Sequence, residues 1–524
     1  MLLPYLHLTV LASVLFQFSR KITNLLTDHL KIYLQNYSKS IDKPRFLRIH
    51  TMSRPFKRYQ NLIQGPNMNR DALIKKYNVP APRYTSYPTV PFWSTETPQK
   101  EKWFEAVKNT FKRTNSEKGI SLYFHMPFCE SLCTYCGCNK RITKNHRVED
   151  RYIDALIKEW HTYLKLFGEK PVIQEIHIGG GTPTFFHPDN YRKLFGEIKK
   201  TAVYGNTPEF SFEGHPNNTT EAHLEAFREL GFNRVSYGVQ DFDLKVQTTI
   251  NRIQPFKNVK HVTDISRKLG YESVNFDLVY GLPFQTLDVI KNTIEKVAEL
   301  MPDRIAFYSY AHVPWTSPGQ RAYSEADLPT DAEKRSLYET GKEMLAELGY
   351  QDIGMDHFAL ESDDMYKAFR ENRLHRNFMG YTTNQTELMI GLGCSSISDA
   401  KTAFAQNLKK VEDYQEAIEQ EGLSVFKGHF LNEEDLVIRK AILELICHNQ
   451  LLLTETVKAT LDEQARSMLS TFEKEGIIKL DGDRLQVSKE GVAFIRNICM
   501  AFDARLRRKH ASTGEGNQIF SKAI

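Results

Sequence analysis

Four of the seven cysteines fall within ten residues, in the run Tyr123-Phe124-His125-Met126-Pro127-Phe128-Cys129-Glu130-Ser131-Leu132-Cys133-Thr134-Tyr135-Cys136-Gly137-Cys138-Asn139-Lys140. Cys129, Cys133 and Cys136 have the spacing CxxxCxxC, which lets one short loop wrap three thiolates around a compact metal centre. A cubane cluster held by three protein thiolates keeps one iron open, where a small molecule can chelate. Two plainer readings stand beside this one. Structural zinc usually draws on two separated CxxC or His pairs, and no second pair is present. A disulfide framework is disfavoured because Cys394, Cys447 and Cys499 are scattered along a chain too long to need staples. Iron–sulfur chemistry is the expectation.

Such a loop has to be held by the elements on either side of it. From residue 121 short apolar runs alternate with longer stretches of helical period. Strands are expected over 122–126, 175–178, 209–213, 234–240, 273–280 and 304–310, and helices over 152–166, 190–201, 220–230 and 287–300. This alternation implies parallel strands joined by crossover helices, hence an α/β fold: a closed or partly closed barrel of about six units, fewer than the eight of a complete one. Polar residues collect where the strands end: Gly179-Gly180-Gly181-Thr182-Pro183-Thr184 after Ile178, then Glu213, Gln240-Asp241, Asp277 and Ala311-His312. In a parallel barrel these positions face one rim, where catalytic and binding groups belong. Each also has a plainer use. The glycines could form a tight turn, Glu213 and Asp277 could belong to structural ion pairs, and Arg252 could be a solvated charge at a helix end.

The 524 residues are enough for two or three domains. The formal charge of +5 is uneven: residues 1–68 hold ten Lys/Arg and two Asp, which leaves −3 for the rest and no nucleic-acid footprint. Residues 1–18 carry no formal charge and are followed by Ser19-Arg20-Lys21. A signal, a membrane anchor, a basic targeting segment and a start placed upstream of the true one, at Met52 or Met68, are all open, and the last is preferred. The expected divisions are this extension at 1–68, an N-terminal arm at 69–120, a barrel with substrate-site segments at 121–400 and a helical C-terminal domain at 401–524. Within the arm, Arg83-Tyr84-Thr85-Ser86-Tyr87-Pro88-Thr89 reads as an ordered segment lying on the main domain. His357 and His375 lack the spacing of a metal pair, so substrate hydrogen bonding or packing is expected of them. From about residue 403 the chain reads as helical. Helices over 434–449 and 461–475, then a hairpin around Asp481-Gly482-Asp483, resemble a winged-helix module without a strong basic stripe.

The cysteine spacing resembles the signature of the radical S-adenosylmethionine enzymes. Further matches lie at residues 83–89, 137–140, 179–184, 238–242, 280–283, 355–358, 375–383 and 496–500. Together they make residues 69–524 resemble the oxygen-independent coproporphyrinogen III oxidases of the haem pathway. The resemblance implies a partial (β/α)6 radical-SAM barrel with an N-terminal arm and a mostly helical, winged-helix-like C-terminal domain. It implies a [4Fe–4S] cluster on Cys129, Cys133 and Cys136, with Cys138 as a family marker that is not a ligand, and two molecules of S-adenosylmethionine. Tyr123, Gly180, Glu213 and Ile397 would contact the first molecule. Gly181, Thr182, Gln240, Arg252, Asp277 and Ala311 would surround the second, with Tyr135 a further contact. Gly214-His215 departs from the family's more usual small apolar residue and Asp. The implied reaction turns two propionates of coproporphyrinogen III into vinyl groups. No catalytic residue is implied beyond the cluster and cofactor. An unidentified electron donor, no nucleic acid, no membrane and a cytoplasmic monomer complete the expectation. The alternative is the related haem chaperone, a carrier without decarboxylase activity that typically has an aromatic residue where Cys138 stands.

Overall fold

Six strands carry the βα units: β1 Ile120–Met126, β2 Val172–Gly180, β3 Val203–Gly214, β4 Arg234–Gln240, β5 Ser273–Tyr280 and β6 Arg304–Ser309. They are described in a computed structural model that covers residues 70–94, 100–513 and 520–523. The expectations placed on residues 1–68 lie outside the described residues. Met68–Ile524 packs as one unit, and no helix among the described residues is long and apolar enough to cross a membrane.

The strands form where apolar residues run nearly without interruption. β1 is buried at six of its seven positions, as a parallel strand covered on both faces should be. Crossover helices Val148–Phe167, Pro188–Thr201, Glu221–Glu229, Phe256–Lys268 and Leu287–Leu300 separate the strands. In the first of them Tyr152, Leu156, Trp160, Tyr163 and Phe167 recur at spacings of three and four, and this stripe joins the main core against the sheet. The next helices begin cleanly because Thr220 and Thr286 accept hydrogen bonds from the amides of His223 and Val289.

Neighbouring strands from β1 to β6 pair in parallel. The other neighbour of β1 is Met389–Leu392, also parallel, and not β6. The sheet therefore stays open. It continues past Met389–Leu392 through antiparallel Ile397–Asp399, Ala403–Asn407 and Val425–Phe430, and past β6 through His357–Ala359 and Gln351–Gly354, twelve strands in all.

Three expectations are corrected. The chain does not turn helical at residue 403: Ala403–Asn407 is a strand buried at every position, and the continuous helical part begins only at Glu433. Alanine is a poor strand former, and pairing with the sheet decides its conformation here. The helix Phe256–Lys268 was not anticipated. The arm's helix Lys100–Lys118 packs on the barrel through Trp103, Val107 and Phe111, while the segment 83–89 lies chiefly on the C-terminal helical part, where Tyr84 and Tyr87 join a second core with Ile438, Leu445 and Phe502. The Arg496 guanidinium fastens it there by donating to the carbonyls of Pro82 (3.1 Å), Lys522 (2.8 Å) and Ala81. The small wing has strands Ile478–Asp481 and Arg484–Val487, joined by a third, Gln450–Leu452.

Candidate cofactor site at the barrel rim

The cysteine loop leaves the end of β1 and is tied at its base. The Gly181 amide donates to the Met126 carbonyl (2.7 Å), and the Thr182 amide donates to that of Phe128 (3.0 Å). A short parallel pair, Phe128–Cys129 with Arg141–Ile142, closes the loop, with the Arg141 amide on the Pro127 carbonyl (2.7 Å) and the Thr143 amide on that of Cys129 (2.9 Å). The glycines after β2 make this approach possible. Gly180 has φ +116°, and a Cβ there would stand 2.7 Å from the His125 ring; one on Gly181 would stand 2.6 Å from the Pro127 carbonyl oxygen. The loop's own backbone needs these glycines before any ligand does.

A cavity of about 720 Å³ opens at this rim. It gathers Cys129, Cys133 and Cys136 with nine of the eleven expected cofactor contacts: Tyr135, Gly180, Gly181, Thr182, Glu213, Gln240, Arg252, Asp277 and Ala311. Tyr123 and Ile397 lie outside this lining, close to each other. Tyr123 pairs across the ladder with Gly391, and the Ile397 carbonyl packs where a Gly391 side chain would stand. The Tyr123 hydroxyl meets His125 Nδ1 at 3.1 Å.

Two of the three sulfurs have a side-chain donor aimed at them. The Thr182 hydroxyl donates to Cys129 Sγ (3.3 Å), and Arg252 Nη1 donates to Cys133 Sγ (3.6 Å). The neighbouring Cys138 thiol is the largest influence on the Cys136 thiol and lowers it to about 6, while the same pairing raises Cys138. Burial pushes Cys129 up to about 11. Among the described residues no three His, Cys, Asp or Glu side chains converge tightly enough for a single ion. A cubane makes a different demand, one thiolate for each of three irons. Three sulfurs lining one wall, two of them with a side-chain hydrogen-bond donor, fit that demand.

The acids at the strand ends are not paired with lysine or arginine among the described residues. Glu213 accepts from the Gly180 amide (3.2 Å) and lies 3.5 Å from His177 Nε2. Asp277 accepts from Ser236 Oγ and Asn275 Nδ2, both at 2.9 Å. Burial first, and then Glu213, raise its carboxyl to about 6. Arg252 is no solvated helix-end charge: Nη2 donates to the Gly238 carbonyl at 2.6 Å, and Nε is buried without a partner. Gln240 takes φ +66°, a costly conformation for a residue with a side chain, at the point where β4 delivers it to the cavity.

Two of the lining residues that were not anticipated stand out. His215 is kept uncharged, its pKa lowered to about 2 by burial and then by Arg252; its only sequence signal was the departure at Gly214-His215. Gln320 comes from the short helix Pro318–Ala322, and its amide donates to the carbonyls of Tyr135 and Ala311, each at 3.2 Å. Nothing in its local sequence marks it. His357 lines a smaller cavity of about 190 Å³ one layer deeper in the barrel, which shares Glu213, Asp277 and Tyr308 with the rim. His375 lines a different space, beside Lys401 and Arg439.

A radical SAM superfamily profile matches residues 123–297. The chain is 38% identical over 444 residues to the oxygen-independent coproporphyrinogen III oxidase of Escherichia coli (strain K12), spanning 84% of this chain and 96% of that relative. It is 38% identical over 464 residues to the Synechocystis protein of the same name, spanning 86% and 97%. A solved structure of coproporphyrinogen III oxidase from Escherichia coli, described as a radical SAM enzyme, superposes with a TM-score of 0.76 at 35% identity, covering 82% of this chain and 98% of that one. With identity at this level over nearly the whole of each relative, the chain belongs to the oxygen-independent coproporphyrinogen III oxidase family of radical SAM enzymes.

Proposed function

We propose that this protein catalyses the oxygen-independent oxidative decarboxylation of coproporphyrinogen III, converting two propionate side chains to vinyl groups and giving protoporphyrinogen IX. The observation that carries this reading is the single cavity of about 720 Å³ that gathers three closely spaced cysteines with polar groups from the ends of five strands. Cys129, Cys133 and Cys136 would hold a [4Fe–4S] cluster, and the same rim would hold two molecules of S-adenosylmethionine. Bound together, these groups supply radical chemistry able to take a hydrogen atom from a propionate β-carbon, whose hydrogens are not acidic enough for a base.

The chain's own groups bind, orient and exclude water. Glu213, without a lysine or arginine partner among the described residues, is suited to receive the ammonium of a bound amino acid. Asp277 sits in a setting where burial strengthens hydrogen bonds from ligand hydroxyls. Arg252 holds the Cys133 sulfur and the Gly238 carbonyl, and keeps its Nε–H for a ligand acceptor. Gln320 fixes Tyr135 against Ala311, so two of the proposed contacts move as one. The electron donor is an unidentified species from outside the chain, and the working form is a cytoplasmic monomer.

The deciding experiment is an anaerobic assay of the reconstituted protein with coproporphyrinogen III, S-adenosylmethionine and a reductant. Vinyl product is expected. Cleavage of S-adenosylmethionine without vinyl product would defeat the oxidase reading, and stable haem binding in its place would support a carrier.

A further inference from the structure

We propose that the exposed basic segment following the cysteine loop is the docking surface for an acidic protein that delivers electrons singly. The proposal rests on the reading of Cys129, Cys133 and Cys136 as cluster ligands. Residues 139–147 contain Lys140, Arg141, Lys144 and Arg147 and no carboxylate, on a body of residues 69–524 whose formal balance is −3. Arg141, Lys144 and Arg147 are exposed. The pairing of Arg141 with Glu412 at 3.1 Å is between side chains more than half exposed, and such pairs are worth under about 1 kcal/mol. The Lys144 and Arg147 side chains form no ion pair among the described residues. Beside the cations stands an exposed apolar side chain, Ile142 (41%). Cations around a small apolar surface suit a transient, electrostatically steered contact with an acidic partner.

The backbone ties this surface to the cysteines. Arg141–Ile142 is hydrogen-bonded alongside Phe128–Cys129, and the Thr143 amide donates to the carbonyl of Cys129 itself. The Lys140 ammonium donates to the carbonyls of Cys136 (3.1 Å) and Cys138 (3.2 Å). A partner seated on residues 139–147 therefore rests against the loop that would hold the cluster. The electron has to come from outside, because the remaining cysteines, Cys394, Cys447 and Cys499, are buried and lie singly along the chain. The step balances simply: the partner loses one electron, the cluster gains one, and no bond or proton changes hands at the contact.

The test compares the reconstituted protein with an Arg141→Glu/Arg147→Glu variant, using an acidic [2Fe–2S] ferredoxin as probe. Calorimetry gives the Kd at low and high salt, and stopped-flow absorption gives the rate of cluster reduction. Reversal should weaken binding about tenfold, flatten its salt dependence and slow reduction by ferredoxin to a similar degree. Iron content and dithionite-driven vinyl formation should stay unchanged. If the double variant folds poorly, Arg147→Glu alone carries the same comparison. Three results would each overturn the proposal: no ferredoxin binding by the unaltered protein, equal binding by the variant, or tighter binding of a short DNA duplex. A raised KM for coproporphyrinogen III with dithionite would overturn it too, by assigning the cations to substrate. Failure of the unaltered protein to take up iron would defeat the cluster reading separately.

Discussion

Two polar cavities lie in series inside the barrel, and they treat their carboxylates differently. In the deeper one Glu209 is paired with Arg234, and Arg304 is matched by Asp363 at 2.6 Å. Glu175 accepts from the hydroxyls of Ser121 (2.7 Å) and Thr382 (2.6 Å). At the rim, Glu213 and Asp277 line both spaces without any lysine or arginine partner among the described residues. Each space also leaves one arginine N–H unsatisfied, Arg304 Nη1 below and Arg252 Nε above. The contrast thus lies between Glu209 and Asp363, matched by arginines, and Glu213 and Asp277, which are not. Charge matched within the chain holds strands together, and charge left unmatched beside the cysteines is available to a ligand.

The largest effect should come from the rim. Cys129→Ser is expected to abolish the cluster absorption and all cofactor cleavage, while Cys138→Ser keeps most of the iron. Retained iron in the first variant, or full loss in the second, would break the three-ligand assignment. Next comes a pair of like substitutions with opposite signs. At Asp363 burial works against the charge, but Arg304 and Arg234 outweigh it and hold the carboxyl below its usual range. Asp363→Asn leaves Arg304 uncompensated and should cost about 3–5 kcal/mol in anaerobic denaturation at neutral pH. Asp277 has its pKa raised to about 6, so the folded state keeps the proton longer than the unfolded one. Stability should fall as pH rises from about 4 through 6 and then level off. Asp277→Asn should remove that slope and stabilise the ligand-free protein by roughly 2–3 kcal/mol at pH 7.5, while weakening S-adenosylmethionine binding. Equal signs for the two substitutions would end the comparison. The smallest effect is Glu213→Gln: about tenfold weaker S-adenosylmethionine binding by calorimetry with melting temperature nearly unchanged.

Much of the barrel could be read because parallel strands buried on both faces are short apolar runs. β4 and β5 begin and end where the sequence placed them, at 234–240 and 273–280. The strand-end rule brought Glu213, Gln240, Asp277 and Ala311 to one rim, and the family resemblance added Arg252 and the individual glycine contacts. The later strands were hidden for a physical reason. Met389–Leu392 carries a glycine and is made extended by pairing with β1, far away in sequence, and Ala403–Asn407, rich in alanine and amides, by pairing on both sides with Ile397–Asp399 and Val425–Phe430. Gln320 was hidden likewise, since its role depends on a loop folding back onto Tyr135 and Ala311.

The open sheet has a mechanical consequence. Its terminal strands, Val425–Phe430 and Gln351–Gly354, do not pair with each other. The gap between them can widen by added strand twist, with every ladder bond kept, whereas a closed barrel would have to rupture a row of hydrogen bonds to admit a macrocycle. Amide exchange should record this as a gradient. The slowest exchange should lie in β2 through β5, with protection declining toward both outer strands, and a bulky tetrapyrrole should slow the margins while leaving the centre as it was.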